Sequence, residues 1–362
     1  MLRYKEIKNM LLEEISKLKP TDKLMSRPLL CRKFDTTRTT LDKAIKELVE
    51  EGLLVSKNGS GTFIAPFSKE ELVQSGSNWG IIVPNIMDDI YPGIIRGVEN
   101  ISQGYGINLI LCNSDNDADK QEQYIRRLLI SGISGFVIVP VISNDVRENL
   151  RLYSQLTDAK VPFVFCNRSI EGIDVPTVTS NSFYGGYIAT KHLINRGYKN
   201  IAFISKLKYR TSIERCHGYV SALIESGIEI DRSLVILEGQ NDGHQDGYTE
   251  MKRLLDSEVK IDAVFCFNDS VVKGVCKAME EYGLKVSDDI GIIGYDNSDI
   301  CTRLEPKITS VSYKNVEIGE RAAELLWKMI NHLPMSEFNY YLFQPEIVIR
   351  GSCLGPGLPS EN

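Results

Sequence analysis

The sequence predicts an α/β protein with a small N-terminal head, made of three helices and a hairpin, and a larger body of doubly wound parallel sheet. Two observations support this prediction. Residues 4–64 contain three helical apolar patterns followed by two short alternating runs. From residue 78 onward, apolar runs typical of buried strands alternate with helix-like segments about every 20–30 residues. A chain of 362 residues is also long enough for two or three domains.

The head is predicted to contain three helices. The first covers residues 4–18 and the second covers residues 27–34. Ser26 is a candidate N-cap for the second, and Pro28 falls in its first turn, where a missing N–H is harmless. The third helix begins after Thr37, which is its candidate cap. Its apolar positions predict one buried face: Leu41, Ala44, Ile45, Leu48 and Val49.

A hairpin is predicted to follow the third helix. The alternating runs 53–55 and 62–64 enclose Lys57-Asn58-Gly59-Ser60-Gly61, and Asn-Gly is a strong signal for a tight turn. Three helices with a two-stranded hairpin predict a winged helix-turn-helix. In that motif the second helix of the pair enters the DNA major groove with its first turn, and the hairpin forms the wing.

Polar residues are concentrated at both predicted contact points. Arg38 offers a guanidinium fork suited to guanine or phosphate. The neighbouring threonines are short donors for phosphate or thymine-methyl contacts: Thr37, Thr39 and Thr40. The wing would bring three residues to the backbone or minor groove: Lys57, Asn58 and Gly59. Each piece alone is equally compatible with an ordinary cap or turn, but their order favours DNA binding.

Charge divides the chain near residue 66. Residues 1–66 carry 13 Lys and Arg against 9 Asp and Glu, a net charge of +4. The remainder carries 29 against 39, a net charge of −10. A basic head on an acidic body indicates that the head alone meets a polyanion.

The stretch TTRTTLDKAIKELVEEGLLVSKNGSGTFIA resembles the head of GntR-type bacterial transcription regulators, and this resemblance covers residues 3–66. Arg27 matches a base-reading position that is usually Glu in that family, and Pro28 matches the next position. Arg38 matches the arginine of the family's Ser-Arg-Thr-Thr stretch. Asp42 falls where a phosphate-facing Arg is common. The resemblance therefore implies DNA contacts by Arg27 and Arg38 but no particular operator sequence.

The body contains eight predicted strands, which fit two sheets better than one. They are WGIIVPN (79–85), INLILCN (107–113), GFVIVPV (135–141), PFVFCN (162–167), NIAFIS (200–205), LVILEG (234–239), AVFCFND (263–269) and GIIGYDN (291–297). The predicted division of the chain is head 1–66, polar linker 67–77, body 78–352 and C-terminal tail 353–362.

Polar side chains follow many of these strands, at the end where ligands bind in doubly wound sheets. They are Asn85, Asn113, Ser114, Asp115, Asn167, Arg168, Asn268, Asp269, Asp296 and Asn297. Amides, carboxylates and an arginine, with Tyr91 to cover a sugar face, suit a small polyhydroxyl ligand. The alternative is that Asn and Asp end strands as turn formers.

Several body segments resemble the effector domain of LacI-type regulators and periplasmic sugar-binding proteins: CNSDND, GGYIATKHLINRGYKNIAFIS, ERCHGY, FCFNDS and GIIGYDNSD. This resemblance covers roughly residues 78–352 and implies two lobes joined by a hinge that the chain crosses three times, with sugar between them. The positions that match ligand contacts are Tyr91, Arg168, Asn181, Arg215, Asn268, Asp269 and Asp296. DIYPGIIRGVE and FQPEIVIRGS resemble arabinose-responsive repressors, which implies L-arabinose as effector.

An enzyme and a periplasmic transport receptor are the alternatives. The sequence has no GxxxxGK[ST], HExxH or GxSxG motif, no GxGxxG after a strand, and only four His, none at metal-ligand spacing. The start has no signal-peptide pattern, and no apolar run reaches the roughly 20 residues of a membrane helix. Eight cysteines without a CxxC pair are typical of reduced cytosolic thiols. We therefore expect a cytoplasmic, homodimeric repressor that binds operator DNA and a small sugar, with no cofactor, metal or membrane partner.

Overall fold

The structure is a computed structural model. It describes residues 3–15, 18, 22–50, 53–57, 60–64, 78–88, 90–143, 145–205, 209–237, 244–335 and 339–356. The predicted linker, the Asn58-Gly59 turn and the last residues of the predicted tail lie outside these ranges.

The head is a winged helix-turn-helix, as predicted. Its elements are α1 (Arg3–Ile15), α2 (Arg27–Lys33), α3 (Arg38–Glu50), β1 (Leu54–Lys57) and β2 (Gly61–Ile64). The two strands pair antiparallel, with Ser56 opposite Thr62. Buried apolar side chains from the three helices and both strands form one core: Ile7, Leu11, Leu30, Leu41, Ala44, Ile45, Leu48, Leu54 and Ile64. The amphipathic period of α3 is thus satisfied by burial, which leaves its first turn at the surface.

The body alternates strands and helices. In chain order its elements are β3 (Asn78–Val83), α4 (Tyr91–Gly104), β4 (Asn108–Asn113), α5 (Ala118–Ile130), β5 (Gly135–Ile138), α6 (Val146–Asp158), β6 (Phe163–Cys166), β7 (Thr177–Ser180), α7 (Ser182–Asn195), β8 (Ile201–Ile204), α8 (Arg210–Glu225), β9 (Val235–Ile236), α9 (His244–Leu255), β10 (Ala263–Cys266), α10 (Asp269–Glu281), β11 (Gly291–Asp296), α11 (Ile300–Arg303), β12 (Thr309–Ser312), α12 (Asn315–Ile330), β13 (Tyr340–Phe343) and β14 (Glu346–Val348).

These elements form two lobes, each built on its own sheet. Within the described residues, the sheet of lobe 1 has the order β13-β7-β6-β5-β3-β4 and that of lobe 2 the order β14-β12-β11-β10-β8-β9. All eight predicted strands are present, although β9 is only two residues long. The doubly wound body of parallel sheets is as predicted, and at one edge of the lobe 2 sheet β14 pairs antiparallel with β12.

Four strands escaped the search for apolar runs: β7, β12, β13 and β14. The first two, Thr177–Ser180 and Thr309–Ser312, contain only one apolar residue each, yet β7 is entirely buried and β12 nearly so. The last two contain only exposed and half-buried positions, as expected for strands that lie at the edges of their sheets. A search for apolar runs does not detect strands such as β7 and β12, because their buried residues are mostly Ser and Thr.

The chain passes between the lobes three times, as the resemblance implied. The passages follow β7, β12 and β13, each of which ends in one lobe just before an element of the other lobe begins. The three segments contact one another: the N–H of Asn181 donates to the carbonyl of Phe343 at 2.8 Å. Lys314 pairs with Glu346 at 3.1 Å. These passages form the hinge, and the carboxyl ends of both sheets face the cleft beside it.

Glycines bring three pairs of helices into backbone contact. A Cβ on any of these glycines would lie 2.0–2.2 Å from a carbonyl oxygen of the facing helix, well inside van der Waals distance. The pairs are Gly97 with Gly319, Gly186 with Gly218, and Gly247 with Gly274. The second pair joins α7 to α8, and the third joins α9 to α10, so both helices that carry predicted ligand residues of lobe 2 are held by such crossings.

No described helix combines the length and the apolar character required to cross a membrane. The eight cysteines, all within described residues, are present as free thiols, five of them buried and three half-buried. One of the buried thiols is Cys353, so the packed part of the body extends past residue 352 into the segment predicted as tail.

Candidate functional site

The first turn of α3 presents the predicted recognition residues at the surface. Thr37, Arg38 and Thr39 are exposed, and Thr40 is half-buried. The Thr37 hydroxyl accepts the N–H of Thr40 at 3.4 Å and lies 2.9 Å from the Thr40 hydroxyl, so Thr37 caps the helix as predicted. The Arg38 side chain is 79% exposed and its Nε lies 3.6 Å from the Asp42 carboxylate.

Arg27 is engaged by other residues of the head. Its Nε donates to Oδ1 of Asp42 at 2.6 Å and its Nη1 donates to the hydroxyl of Thr62 at 3.1 Å. On the wing, Lys57 is exposed, with its ammonium 5.4 Å from the centre of the Phe63 ring. The other two predicted wing contacts, Asn58 and Gly59, lie outside the described residues.

A cavity of about 280 Å³ lies between the two lobes at the carboxyl ends of the strands. From lobe 1 it is lined by Met87, Asp88, Ile90, Tyr91, Asn167 and Arg168. From lobe 2 it is lined by Tyr209, Thr211, Arg215, Phe267, Asn268, Asp269, Ser270, Asp296, Ser298 and Ile300. The structure therefore brings six of the seven predicted ligand residues together, although they are spread over more than 200 positions of the chain.

The lobe 1 wall combines an arginine with a buried tyrosine. Arg168 follows β6, and its Nη2 donates to the Tyr91 hydroxyl at 2.9 Å. Burial raises the pKa of Tyr91 well above its ordinary value, an effect that the charge of Arg168 only partly opposes, so the phenol keeps its proton. The Arg168 guanidinium also stacks 4.0 Å from the ring centre of Tyr209, a residue of lobe 2. This cation–π contact crosses the cleft.

The lobe 2 wall contains a second, more deeply buried arginine. Arg215 is 3% exposed and its Nη1 donates to the carbonyl of Phe267 at 2.6 Å. Its guanidinium lies 3.4 Å from the ring centre of Tyr295, and its Nη2 is 3.8 Å from the Asp296 carboxylate. Packing against aromatic faces and pairing with a carboxylate compensate for the burial of its charge.

Asn268 and Asp269 form the start of α10 and make different contacts. The Asn268 side chain accepts the N–H of Val271 at 3.0 Å, an N-cap bond. Asp269 accepts the N–H of Ser298 at 2.7 Å and the hydroxyl of Ser310 at 2.8 Å. Burial raises the pKa of Asp269 to about 6 despite these hydrogen bonds. Asp269 therefore ties the loop after β11 to strand β12, and both of its carboxylate oxygens are engaged.

Asp296 ends β11 in a backbone conformation with φ of 100°, which non-glycine residues rarely adopt. That conformation places its side chain, 12% exposed, in the cavity wall near Arg215. Strained backbone of this kind persists only where the surrounding structure imposes it. Such positions are concentrated at functional sites, which supports a functional role for Asp296.

Asn181, the seventh predicted ligand residue, does not line the cavity. Its side-chain oxygen accepts the N–H of Tyr184 at 3.0 Å as the cap of α7, and its Nδ2 donates to Gln344 at 3.3 Å. Both contacts belong to the hinge. The structure thus assigns Asn181 to the passage between the lobes, one residue after β7 ends.

Sequence reasoning missed several lining residues, of which Tyr209 is the most prominent because it stacks on Arg168. A usable signal was present: Tyr209 comes shortly after the predicted strand NIAFIS, whose carboxyl end is expected at the same edge as the other strand ends. Asp88, Thr211 and Ser298 lie in comparable loops or helix starts. They do not follow a strand immediately, so a search of strand ends alone does not reach them.

Comparison with known proteins gives the same two parts. Residues 3–64 match the bacterial regulatory proteins of the gntR family, and residues 190–353 match the periplasmic binding protein-like domain. The HTH-type transcriptional regulator RegA of Clostridium saccharobutylicum is 32% identical over 322 residues, which cover 88% of this chain and 91% of RegA. The chain is a transcriptional repressor of the LacI/GntR type.

Two further similarities describe this repressor. It is 27% identical over 354 residues to the arabinose metabolism transcriptional repressor of Geobacillus stearothermophilus, and the match covers 97% of each chain. Its body superimposes on a LacI family transcriptional regulator from Enterococcus faecium with bound ribose, with a TM-score of 0.66 and 29% identity, over 78% of this chain and 100% of that one. These relatives are regulators, and the repressor is accordingly not an enzyme.

Proposed function

We propose that this repressor binds a small neutral sugar, L-arabinose, in the interlobe cavity and releases its operator DNA in response. The observation that supports this most strongly is the cavity itself, which is lined from both lobes and lies next to the hinge. A ligand there contacts both lobes at once, so its binding energy favours one relative position of the lobes over another.

The size of the cavity favours a monosaccharide. Pockets for drug-sized ligands are roughly 300–1,000 Å³, whereas this cavity is about 280 Å³. Its lining combines aromatic or aliphatic faces, such as Tyr91 and Phe267, with amides, hydroxyls and carboxylates. That mixture suits a ring that presents C–H groups on one side and hydroxyls around its edge.

The charge of the cavity favours a neutral ligand over a sugar phosphate. Two arginines and three aspartates line it, so the carboxylates outnumber the cations. The cations are also engaged: Arg215 binds the Phe267 carbonyl and lies beside Asp296, and Arg168 binds the Tyr91 hydroxyl. A phosphate would require a surplus of such donors.

The choice of L-arabinose rests on the relatives. The arabinose metabolism repressors match this chain over head and body together. The Enterococcus faecium regulator with bound ribose supports a pentose in a body of this fold. Hexoses, sugar phosphates and nucleosides are the competing effectors, and the binding experiment described below includes each of them.

In the proposed mechanism two copies of the chain form a homodimer in the cytoplasm. Each copy has a head of residues 1–66 that joins the body through linker 67–77. The two heads contact two half-sites of the operator through the first turn of α3 and through the wing. Sugar that draws the lobes together would misplace the heads, with a coupling free energy of about 1–3 kcal/mol between the two sites.

We expect L-arabinose at 100 times its dissociation constant to stabilise the body by about 2.7 kcal/mol. The measurement is a thermal-shift series with L-arabinose, ribose, xylose, galactose, glucose, ribose 5-phosphate and adenosine. A clear shift with another sugar and none with L-arabinose would refute this ligand but leave a sugar-responsive repressor. No shift with any compound would argue against the effector class.

Replacing Arg38 with alanine should weaken operator binding by about 1–3 kcal/mol. The variant lacks the exposed guanidinium and therefore the proposed paired contact of that group with a base edge or phosphate. The measurement is fluorescence anisotropy on an operator duplex. Arg38→Lys is the matched control, since it keeps the charge but removes the planar fork. Unchanged affinity in Arg38→Ala would remove Arg38 from the proposed contacts.

A further inference from the structure

A chain of polar contacts joins three parts of the head. The hydroxyls of Ser56 and Thr62 lie 3.2 Å apart across the wing strands. Thr62 accepts from Nη1 of Arg27 at 3.1 Å, and the Nε of Arg27 donates to Asp42 at 2.6 Å. We call these four residues the Arg27 network. It connects the start of α2, the second turn of α3 and both strands of the wing.

The two arginines that meet Asp42 are held very differently. Arg27 uses two of its donors on Asp42 and Thr62, and its side chain is 30% exposed. Arg38 lies one turn before Asp42 on the same helix, 3.6 Å from its other carboxylate oxygen, and its side chain is 79% exposed. Recognition of guanine requires two parallel N–H groups on one edge of the guanidinium. Arg38 has its fork at the surface, whereas Arg27 has committed two donors within the head.

Asp42 also places a negative charge on the exposed side of α3, where the neighbouring residues Arg38 and Lys43 are cationic. A carboxylate at a DNA-facing position repels phosphates, and binding to arbitrary DNA consists almost entirely of phosphate contacts. By pairing with Arg27, it also withholds a cation that would otherwise be available to a phosphate. Both effects lower affinity for arbitrary DNA, on which the head can shift until a cation released from Asp42 meets a phosphate. On the operator, the proposed base contacts of Arg38 fix the position of α3, so the same gain is not available there.

We propose that Asp42 is a specificity-determining residue, which acts by holding Arg27 as a positioning residue between α3 and the wing. This inference rests on the proposed DNA contacts of α3 and the wing. Arg27 then sets the distance between these two contact elements and makes no base contact of its own. Asp42 raises the ratio of operator binding to non-specific binding by suppressing the latter.

The test uses the full chain and two duplexes: one selected by the parent protein from a random pool, and a scrambled version of it. Asp42→Asn removes the charge but keeps the shape of the side chain. Glu47→Gln is the matched control, because Glu47 lies on the same helix but pairs with Lys8 of α1 at 3.3 Å. Thermal unfolding of each variant checks that the head remains folded.

We expect Asp42→Asn to bind the scrambled duplex roughly tenfold more tightly and to bind the selected duplex about as well as the parent does. On the scrambled duplex, the slope of its log affinity against log salt should steepen by about 0.9, the value for one added phosphate contact. On the selected duplex, the slope should stay at the parental value. Adding Arg27→Met to Asp42→Asn should return the scrambled-duplex affinity and slope to parental values. Glu47→Gln should leave the ratio within about twofold of the parent, because its charge faces away from the DNA.

Three results would overturn the inference. The first is an unchanged ratio in Asp42→Asn, and the second is the same change in Glu47→Gln. The third is a loss of selected-duplex affinity in Arg27→Met as large as that in Arg38→Ala, which would make Arg27 a base-reading residue. If the parent preferred no duplex, the proposed DNA contacts would fail, and this inference with them.

Discussion

Replacing Arg168 with alanine is expected to raise the effector concentration needed for operator release by roughly 30- to 5,000-fold, the equivalent of about 2–5 kcal/mol for removing one partner of a buried charged contact. Arg168 lines the cavity and contacts both lobes: it donates to Tyr91 in lobe 1 and stacks on Tyr209 in lobe 2. Its loss would remove the proposed donor to the ligand and the observed contact across the cleft. Operator affinity without effector should stay at the parental value, since Arg168 lies in the body.

The measurement is an effector titration of the preformed operator complex, followed by fluorescence anisotropy. Arg147→Ala provides the matched control, because Arg147 is an exposed arginine at the start of α6 in the same lobe and does not line the cavity. Arg147→Ala should titrate like the parent. An Arg168→Ala protein that folds, binds operator and releases it at the parental effector concentration would remove Arg168 from the site.

Gly218→Ala is expected to destabilise the body by about 3 kcal/mol, the upper end of the cost of overpacking a core. A Cβ at Gly218 would lie 2.1 Å from the Phe183 carbonyl and 2.6 Å from the Tyr187 nitrogen. These are backbone atoms of α7, so relief requires the two helices to separate. Because α8 also carries Arg215, the same separation would displace a wall of the cavity.

Thermal unfolding measures this effect, and the expected fall in melting temperature is about 6–12 °C. Gly104→Ala is the control: Gly104 is the last residue of α4, and a Cβ there would meet nothing within 4 Å. Since alanine favours helix more than glycine does, Gly104→Ala should be neutral or slightly stabilising. Equal melting temperatures for the two variants would show that the α7–α8 crossing tolerates a methyl group.

Much of the fold could be predicted because its elements bury apolar side chains at regular spacing. The α3 helix and the buried strand Ala263–Cys266 are examples in which period and burial agree. The strands that lead into the hinge could not be found from the spacing of apolar residues. Thr177–Ser180 is completely buried, but both threonine hydroxyls donate hydrogen bonds, that of Thr177 to the Val175 carbonyl at 3.3 Å and that of Thr179 to the Asn167 carbonyl at 2.9 Å.

The residues of the candidate site could be predicted from the sequence where they come directly after a strand. Arg168, Asn268 and Asp296 each come just after a buried strand or end it, and the topology alone brings them together. Asn181 also follows a strand, but that strand leads into the hinge, and a sequence position alone does not distinguish hinge from cleft. Tyr209 was missed for a different reason, because it comes five positions after the last residue of β8, beyond the immediate strand end that the search covered.

In the head, sequence reasoning found the recognition turn but not the contact between Arg27 and Asp42. These residues are 15 positions apart and lie on different helices. Their contact depends on the angle between α2 and α3, which the packing of residues such as Leu30 and Leu41 sets. The apolar pattern predicts that those helices pack together, but it does not predict which surface side chains meet at their edge.

The central claim is that a sugar bound between the lobes controls DNA binding by the head. The most direct measurement is the operator affinity of the full chain with and without saturating L-arabinose, with the other sugars of the thermal-shift series in parallel. We predict that L-arabinose weakens operator binding by about 5- to 150-fold, which corresponds to the coupling free energy typical of allosteric proteins. A sugar that demonstrably binds the body and leaves operator affinity unchanged would contradict the claim.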